Sequence, residues 1–231
     1  MTAPTHSRRF TDLVCENNSS NYDSLAKASK SIGKRSTDTL LSKKYTKESQ
    51  SGVISHTETF LKPNDLIISR SDLQGTIIQC NNLLASLSGW SQEELLGSNH
   101  NVLRHPDMPK ALFKIIWGAI SAKKEFYGYI KNLRKDGGFY WTFAYITADI
   151  NRKREITGYT SYRRFAPKLT IEAIEPIYKI LIKAEEQGGL ELSETLFQEY
   201  LEKTGFGSYD KLIVDLQIKA SLNSQLDGLP S

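Results

Sequence analysis

Between residues 65 and 170 the apolar positions alternate or repeat in ways that identify their elements. Asp65-Leu66-Ile67-Ile68-Ser69-Arg70 reads as a strand, Asp72 to Gly75 as a turn, and Thr76-Ile77-Ile78-Gln79-Cys80 as the antiparallel partner. Asn81 is placed to cap a short helix carrying Leu83, Leu84 and Leu87, which Gly89 stops. Ser91 and Glu94 have the spacing of a capping box and open a second short helix that ends at Gly97. Pro109 suits the first turn of a longer helix, whose Leu112, Phe113, Ile116, Trp117 and Ile120 follow the helical period. Two long strands follow, Phe126 to Arg134 and Phe139 to Ala148, joined by the turn Lys135-Asp136-Gly137-Gly138. After a polar loop, Ile156 to Arg164 reads as a fifth strand. Two strands, a helical insert and three more strands in one antiparallel sheet make an α+β fold, with the helices on one face and room for a pocket between.

The flanks differ from this core. Residues 1–60 hold 19 Ser or Thr and only 11 of Val, Ile, Leu, Phe or Met. Such a segment buries too little apolar surface to offset its chain entropy, so residues 1–63 are expected to form a largely disordered arm. The alternative is an arm that docks on the domain through a few apolar points. The core then spans 64–168. Residues 169–231 read as a helical tail: Thr170 to Gln187 with Pro176 as a bend point, Ser193 to Thr204, and Tyr209 to Ala220.

Alternation along the two long strands assigns faces. If Asn132 points inward, so do Phe126, Ile130 and Arg134. With Asn132 facing Thr142 across the hairpin, Tyr140 and Ala144 join them. The outer face then carries Tyr127, Tyr129, Phe139, Trp141, Phe143 and Tyr145, which is too aromatic to leave in water. It needs a cover: the arm, the tail, a second copy in a homodimer, or a signalling partner.

Charge and cysteine content narrow the function. The 231 residues carry a net charge of +4, but residues 61–170 are +7 and residues 171–231 −6. An acidic helical tail is a poor surface for phosphates, so a DNA-binding helix-turn-helix is excluded and no nucleic-acid partner is expected. Cys15 and Cys80 suggest neither a disulfide framework nor a zinc site. No apolar run approaches the ~20 residues of a membrane span, and no secretion signal opens the chain; the expectation is a cytoplasmic protein without direct membrane insertion. No nucleophile, phosphate-loop or metal motif is found, and no acid–base constellation, so no catalytic residue is assigned and an enzyme is not expected.

Residues 99–117, NHNVLRHPDMPKALFKIIW, then GYIKNLRKDGGFYW at 128–141, ITGYTSYR at 156–163 and LTIEAIEPIYKIL at 169–181 resemble the flavin-binding PAS sensor domains of the bacterial aerotaxis receptor type. The resemblance covers roughly 65–181. It implies a PAS fold, FAD held noncovalently, and redox or oxygen status relayed to a signalling protein such as a chemoreceptor-type rod. The receptor family continues into a membrane anchor and a signalling rod, neither of which is read in this sequence. Where the family has a tryptophan before the glycine opening the first long strand, this chain has Phe126, which takes that place as a candidate cofactor contact. Light-sensing relatives trap flavin on a cysteine within the helical insert. Here the insert has none, which argues against a photoadduct and makes Cys80 a small core residue.

The residue chemistry fits the implied cofactor at several points. Asn132 offers a donor and an acceptor side by side, matching the imide edge of a flavin, and the resemblance places an asparagine in this role. Arg104, His105 and Asp107 precede the long helix, where a pyrophosphate would be well received. Asp107 alternatively caps that helix with Arg104 as its ion pair, and His105 alternatively ligates heme in a gas-sensing PAS domain. Phe113 and Trp117 share a helix face and would wall a ring system or fill a core. Asn81 completes the set. A cofactor-free PAS adaptor, its pocket filled by Phe126 and its neighbours, is the competing reading.

Overall fold

The computed structural model describes residues 54–226, so residues 1–53 of the expected arm lie outside the described residues. Five strands form one antiparallel sheet: β1 (Leu66–Ser71), β2 (Ile77–Cys80), β3 (Phe126–Leu133), β4 (Phe139–Ile150) and β5 (Ile156–Arg164), in the order β2-β1-β5-β4-β3. Between β2 and β3 lie the helical insert α1 (Asn82–Ser88), α2 (Gln92–Leu95), a 3-10 turn at His100–Leu103, and α3 (Lys110–Ser121). The tail is α4 (Lys168–Lys203) and α5 (Tyr209–Leu226).

Local chemistry sets each turn. Between β1 and β2, Asp72 Oδ1 accepts from Gln74 N and Thr76 N, while Gly75 takes a φ of +81°. Between β3 and β4, Arg134 N donates to Gly138 O at 2.8 Å, and Gly137 adopts a φ of +88° that disfavours any side chain. The capping box at Ser91 and Glu94 forms in full. The long pairing puts Asn132 opposite Tyr140 and Ile130 opposite Thr142, two residues from the expected register. A two-residue shift preserves the faces, since side chains alternate with period two.

The packed domain begins ahead of Asn64. β5 pairs with β4 only from Phe143 onward, which leaves the first residues of β4 with an open edge. Thr57 and Thr59 fill it: Phe139 N donates to Thr57 O at 2.9 Å and Thr59 N to Phe139 O at 2.8 Å. Leu61 then enters the smaller apolar core with Ile67, Ile77, Leu84 and Leu95, beneath Tyr140.

The larger core joins the insert, the sheet and the tail. From α4, Tyr178 stacks on Trp141 with centroids 6.4 Å apart, and its hydroxyl donates to Tyr129 O at 3.0 Å. The same helix reaches α3, where Glu185 Oε1 accepts from Ala111 N at 2.9 Å. It therefore wraps the β3 edge. From α5, Tyr209 stacks on Phe126 and Gln217 bonds the Tyr129 hydroxyl. A Cβ at Gly128 would overlap the Tyr209 hydroxyl and lie 2.7 Å from the Phe126 ring, so the close approach of α5 requires glycine there. The chain's own tail is thus the cover for much of the outer face. Trp141, one of the rings expected to need a cover, is only 5% exposed. What stays partly open is a tier of stacked rings across three strands, Tyr127, Tyr145 and Tyr162. The helical break in α4 falls at Gly188 and Gly189, and not at Pro176, which the helix accommodates.

Candidate functional site

The inner face of the sheet and the buried side of α3 enclose a cavity of about 190 Å³. Its apolar walls are Phe113, Ile116 and Trp117 from α3, Ile130 from β3 and Tyr159 from β5. Trp117 stands at the mouth, 42% exposed, with its ring edge-on to Tyr159 at 5.4 Å. Arg104 lies 4.0 Å over the Phe113 ring and donates to Met108 O at 2.9 Å. Four of the eight sequence-derived site residues therefore meet here: Asn132, Arg104, Phe113 and Trp117.

Asn132 is 3% exposed, and its carboxamide nitrogen is committed within the sheet. It donates to Ile130 O at 3.1 Å and to Thr142 Oγ1 at 3.2 Å, with Tyr140 O at 3.5 Å. Two carbonyls around one amide position fix the nitrogen there. The oxygen is the part of the side chain outside these bonds, so Asn132 presents an acceptor where the sequence suggested a donor–acceptor pair.

The other four residues do other work. The segment bearing Arg104 forms an antiparallel bridge with Asn132 of edge strand β3, so successive side chains fall on opposite sides. Arg104 enters the cavity; His105 goes to the far side, where its ring meets Phe139 edge-on at 5.8 Å and its Nδ1 accepts from Asp107 N. His105 is therefore not at the cavity that the heme reading required. Burial, then the Lys131 charge, push His105 down to about 4, so it is neutral at pH 7. Asp107 accepts from Lys131 Nζ at 2.7 Å. Its burial alone would raise the carboxyl, but the Lys131 bond and the neighbouring positive charges hold it below the usual range. Neither expected alternative for Asp107 forms: the N-cap of α3 is Pro109, without a side-chain cap, and the ion partner is Lys131, not Arg104. Asn81 caps α1 and ties down β1, accepting from Leu84 N and Ile68 N and donating to Leu66 O. Phe126 is buried against Tyr209, with ring planes 9° apart, and lines no part of the cavity.

Sequence reasoning missed the β5 contribution. Tyr159, Ser161 and Arg163 stand at alternate positions and all line the cavity, as does His100 from the 3-10 turn. The period-two pattern of β5 carried that signal. Ser161 Oγ and Arg163 Nε are buried without hydrogen-bond partners, so the cavity keeps unused polar valence between aromatic walls. Those features fit a flat heterocycle with polar edges.

Sheet order β2-β1-β5-β4-β3, with a helical insert between β2 and β3, defines residues 66–164 as a PAS fold. A family model described as the PAS fold matches residues 77–163. Over 128 residues the chain is 38% identical to the aerotaxis receptor of Escherichia coli strain K12, covering 55% of this chain and 25% of that receptor. It is 26% identical over 106 residues to the nitrogen fixation regulatory protein of Klebsiella oxytoca, covering 46% of this chain and 21% of that protein. The chain thus spans a quarter or less of the length of these relatives. Among solved structures, a PAS domain from Colwellia psychrerythraea is 26% identical with a TM-score of 0.42, covering 45% of this chain and 87% of that one. The light-state LOV domain of the blue-light photoreceptor Aureochrome1 is 21% identical with a TM-score of 0.41, covering 52% and 91%. Among the described residues no helix is long and apolar enough to cross a membrane.

Proposed function

We propose that this PAS domain is a sensory module that binds FAD noncovalently in the inner cavity and relays redox or oxygen status to a signalling partner. The cavity lining carries this reading: aromatic walls, unused buried donors and the Asn132 acceptor converge on one enclosed face. The relation to the aerotaxis receptor of Escherichia coli supports the same choice. A bound flavin supplies reversible electron storage. The protein's part is to hold the ring between Phe113, Trp117 and Tyr159, accept from a ring N–H at Asn132, and meet the phosphates with Arg104.

Signal output runs through β3. Asn132 is tied to β4 through Tyr140 and Thr142, and the neighbouring Tyr129 is tied to the tail through Tyr178 and Gln217. A change in the bond that Asn132 makes to its ligand therefore pulls on the strand that holds the tail, a two-state element biased by a ligand. The tail, or the open tier of Tyr127, Tyr145 and Tyr162, passes the change to a chemoreceptor-type rod or to a second copy of the chain.

At about 190 Å³ the cavity is smaller than the roughly 300–1,000 Å³ of most ligand pockets. A tricyclic ring therefore enters only if the lining gives way. The same size favours a second reading, a cofactor-free PAS adaptor. The absorption spectrum of the purified full chain, with chromatography of any released cofactor, separates the two. A flavin spectrum with FAD recovered intact after denaturation is the expected result. A folded, colourless protein that takes up no added FAD installs the adaptor reading instead.

A further inference from the structure

Arg163 sits inside the protein on β5, 5% exposed. Its Nη1 donates to Ser69 Oγ at 3.4 Å and its Nη2 lies 3.5 Å from His100 Nδ1, both long contacts, while Nε has no partner. Neither neighbour offers a counter-charge. Burial, and then the charge of Arg163 itself, push His100 down to about 3, so the ring stays neutral. None of the residues lining the cavity is acidic. By contrast, Arg70 has Asp149 at 2.9 Å and Lys131 has Asp107 at 2.7 Å. A buried ion lacking a partner costs several kcal/mol even after relaxation. Two residues away on the same face, the Ser161 hydroxyl is likewise buried and unpartnered.

We propose that Arg163 is the anion-receiving group of this cavity, so that the pocket binds a reduced, negatively charged flavin ring more tightly than an oxidised, neutral one. The proposal rests on the flavin reading above and adds a direction to it. Uptake of two electrons and one proton leaves an isoalloxazine ring with one negative charge; in the test below the electrons come from dithionite. In water that charge is well solvated. Beside a guanidinium in a water-poor cavity it meets a fixed opposite charge at a lower effective dielectric, where the attraction is several times stronger. Ser161 adds a hydroxyl donor to the same end of the ring. Arg104, over Phe113 at the mouth with one donor on Met108 O, is the second cation of the cavity and the one proposed to meet the phosphates.

The test is a potentiometric titration of the full chain loaded with FAD, comparing wild type, Arg163→Lys and Arg163→Gln. In Arg163→Gln the ratio of reduced to oxidised affinity should fall at least tenfold, a drop of about 30 mV in a two-electron couple. Arg163→Lys should keep most of the wild-type ratio. An Arg163→Gln ratio equal to wild type overturns the proposal. A second arm needs no flavin: thermal melting of the cofactor-free protein. Arg163→Met should melt no lower than wild type, because it removes an uncompensated charge. A large drop in melting temperature would show that the protein itself compensates the guanidinium, and would also overturn the proposal. If wild type takes up no FAD, the flavin reading fails, and the melting arm still decides the assignment of Arg163.

Discussion

The tyrosine cluster under the tail and the lining of the inner cavity treat their polar groups in opposite ways. On the outer face the tyrosine hydroxyls beneath the tail are paired: Tyr178 bonds Tyr129 O and the Tyr209 hydroxyl, and Gln217 bonds Tyr129. On the inner face a guanidinium nitrogen and a serine hydroxyl line the cavity without partners. Adjacent residues of β3 show the contrast within one peptide unit. Lys131 has a carboxylate partner and a ring beneath it, while Asn132 spends its nitrogen on the sheet and keeps its oxygen in reserve. The paired hydroxyls fix the tail on the sheet, and the unpaired cavity groups are those on which the proposed ligand reading rests.

Truncating the finished face has the largest expected effect. Trp141→Ala removes a buried ring that stacks on Tyr178 and should destabilise the protein by about 3–5 kcal/mol in a urea titration. A loss below about 1 kcal/mol would mean that the tail does not depend on the sheet for its packing.

Acid tests both faces together, since each holds a buried histidine. Burial and the charge of Arg163 hold His100 to about 3; burial and the charge of Lys131 hold His105 to about 4. Both values lie below the usual 6.5, so the unfolded chain binds these protons first and stability falls as pH drops from 6.5 toward 4. The two should cost on the order of 4 kcal/mol between pH 6.5 and 4.5. His100→Asn should remove about half of that slope in pH-dependent denaturation, leaving the outer-face half from His105.

Gly128→Ala sharpens the comparison at the sheet edge. The new methyl collides with Tyr209 and Phe126, and should cost roughly 1–3 kcal/mol as the tail gives way. Limited proteolysis should then cut in α5 before it cuts in the sheet. The smallest expected effect belongs to the inner face. Asn132→Ala should weaken FAD binding by about 1 kcal/mol, read by fluorescence titration, because only one acceptor is lost to the ligand.

The fold was largely legible because its signals are local. Asp136-Gly137, the Ser91–Glu94 spacing and the period of α3 each specify one element without reference to the rest, and each formed. Half of the candidate site was legible for the same reason: Phe113, Trp117, Arg104 and Asn132 stand on elements whose faces could be assigned. His105 and Asp107 were misplaced because grouping residues by sequence neighbourhood ignores alternation. A segment bridged to an edge strand sends neighbours to opposite sides. Phe126 was misplaced because the partner that claims it, Tyr209, lies 83 residues away, at a distance that no local pattern reports. Arg163 was passed over because its significance is a missing partner, and absence of a carboxylate becomes visible only in three dimensions.

The paired glycines in α4 bear on how force travels through the tail. A continuous helix is a stiff rod that carries torque along its hydrogen-bond ladder. At Gly188 and Gly189 that ladder is broken, with Gly189 at a φ of +76° and ψ of −171°. Twisting residues 168–187 therefore does not turn residues 190–203 as one shaft. The second half is held sideways, by Phe197, whose ring meets Tyr209 edge-on at 6.0 Å, and by Glu194, which pairs with Lys114 of α3 at 2.7 Å. The tail is two bars set at a bend, and Tyr209 of α5 touches both: its hydroxyl bonds that of Tyr178 in the first bar and its ring meets Phe197 in the second.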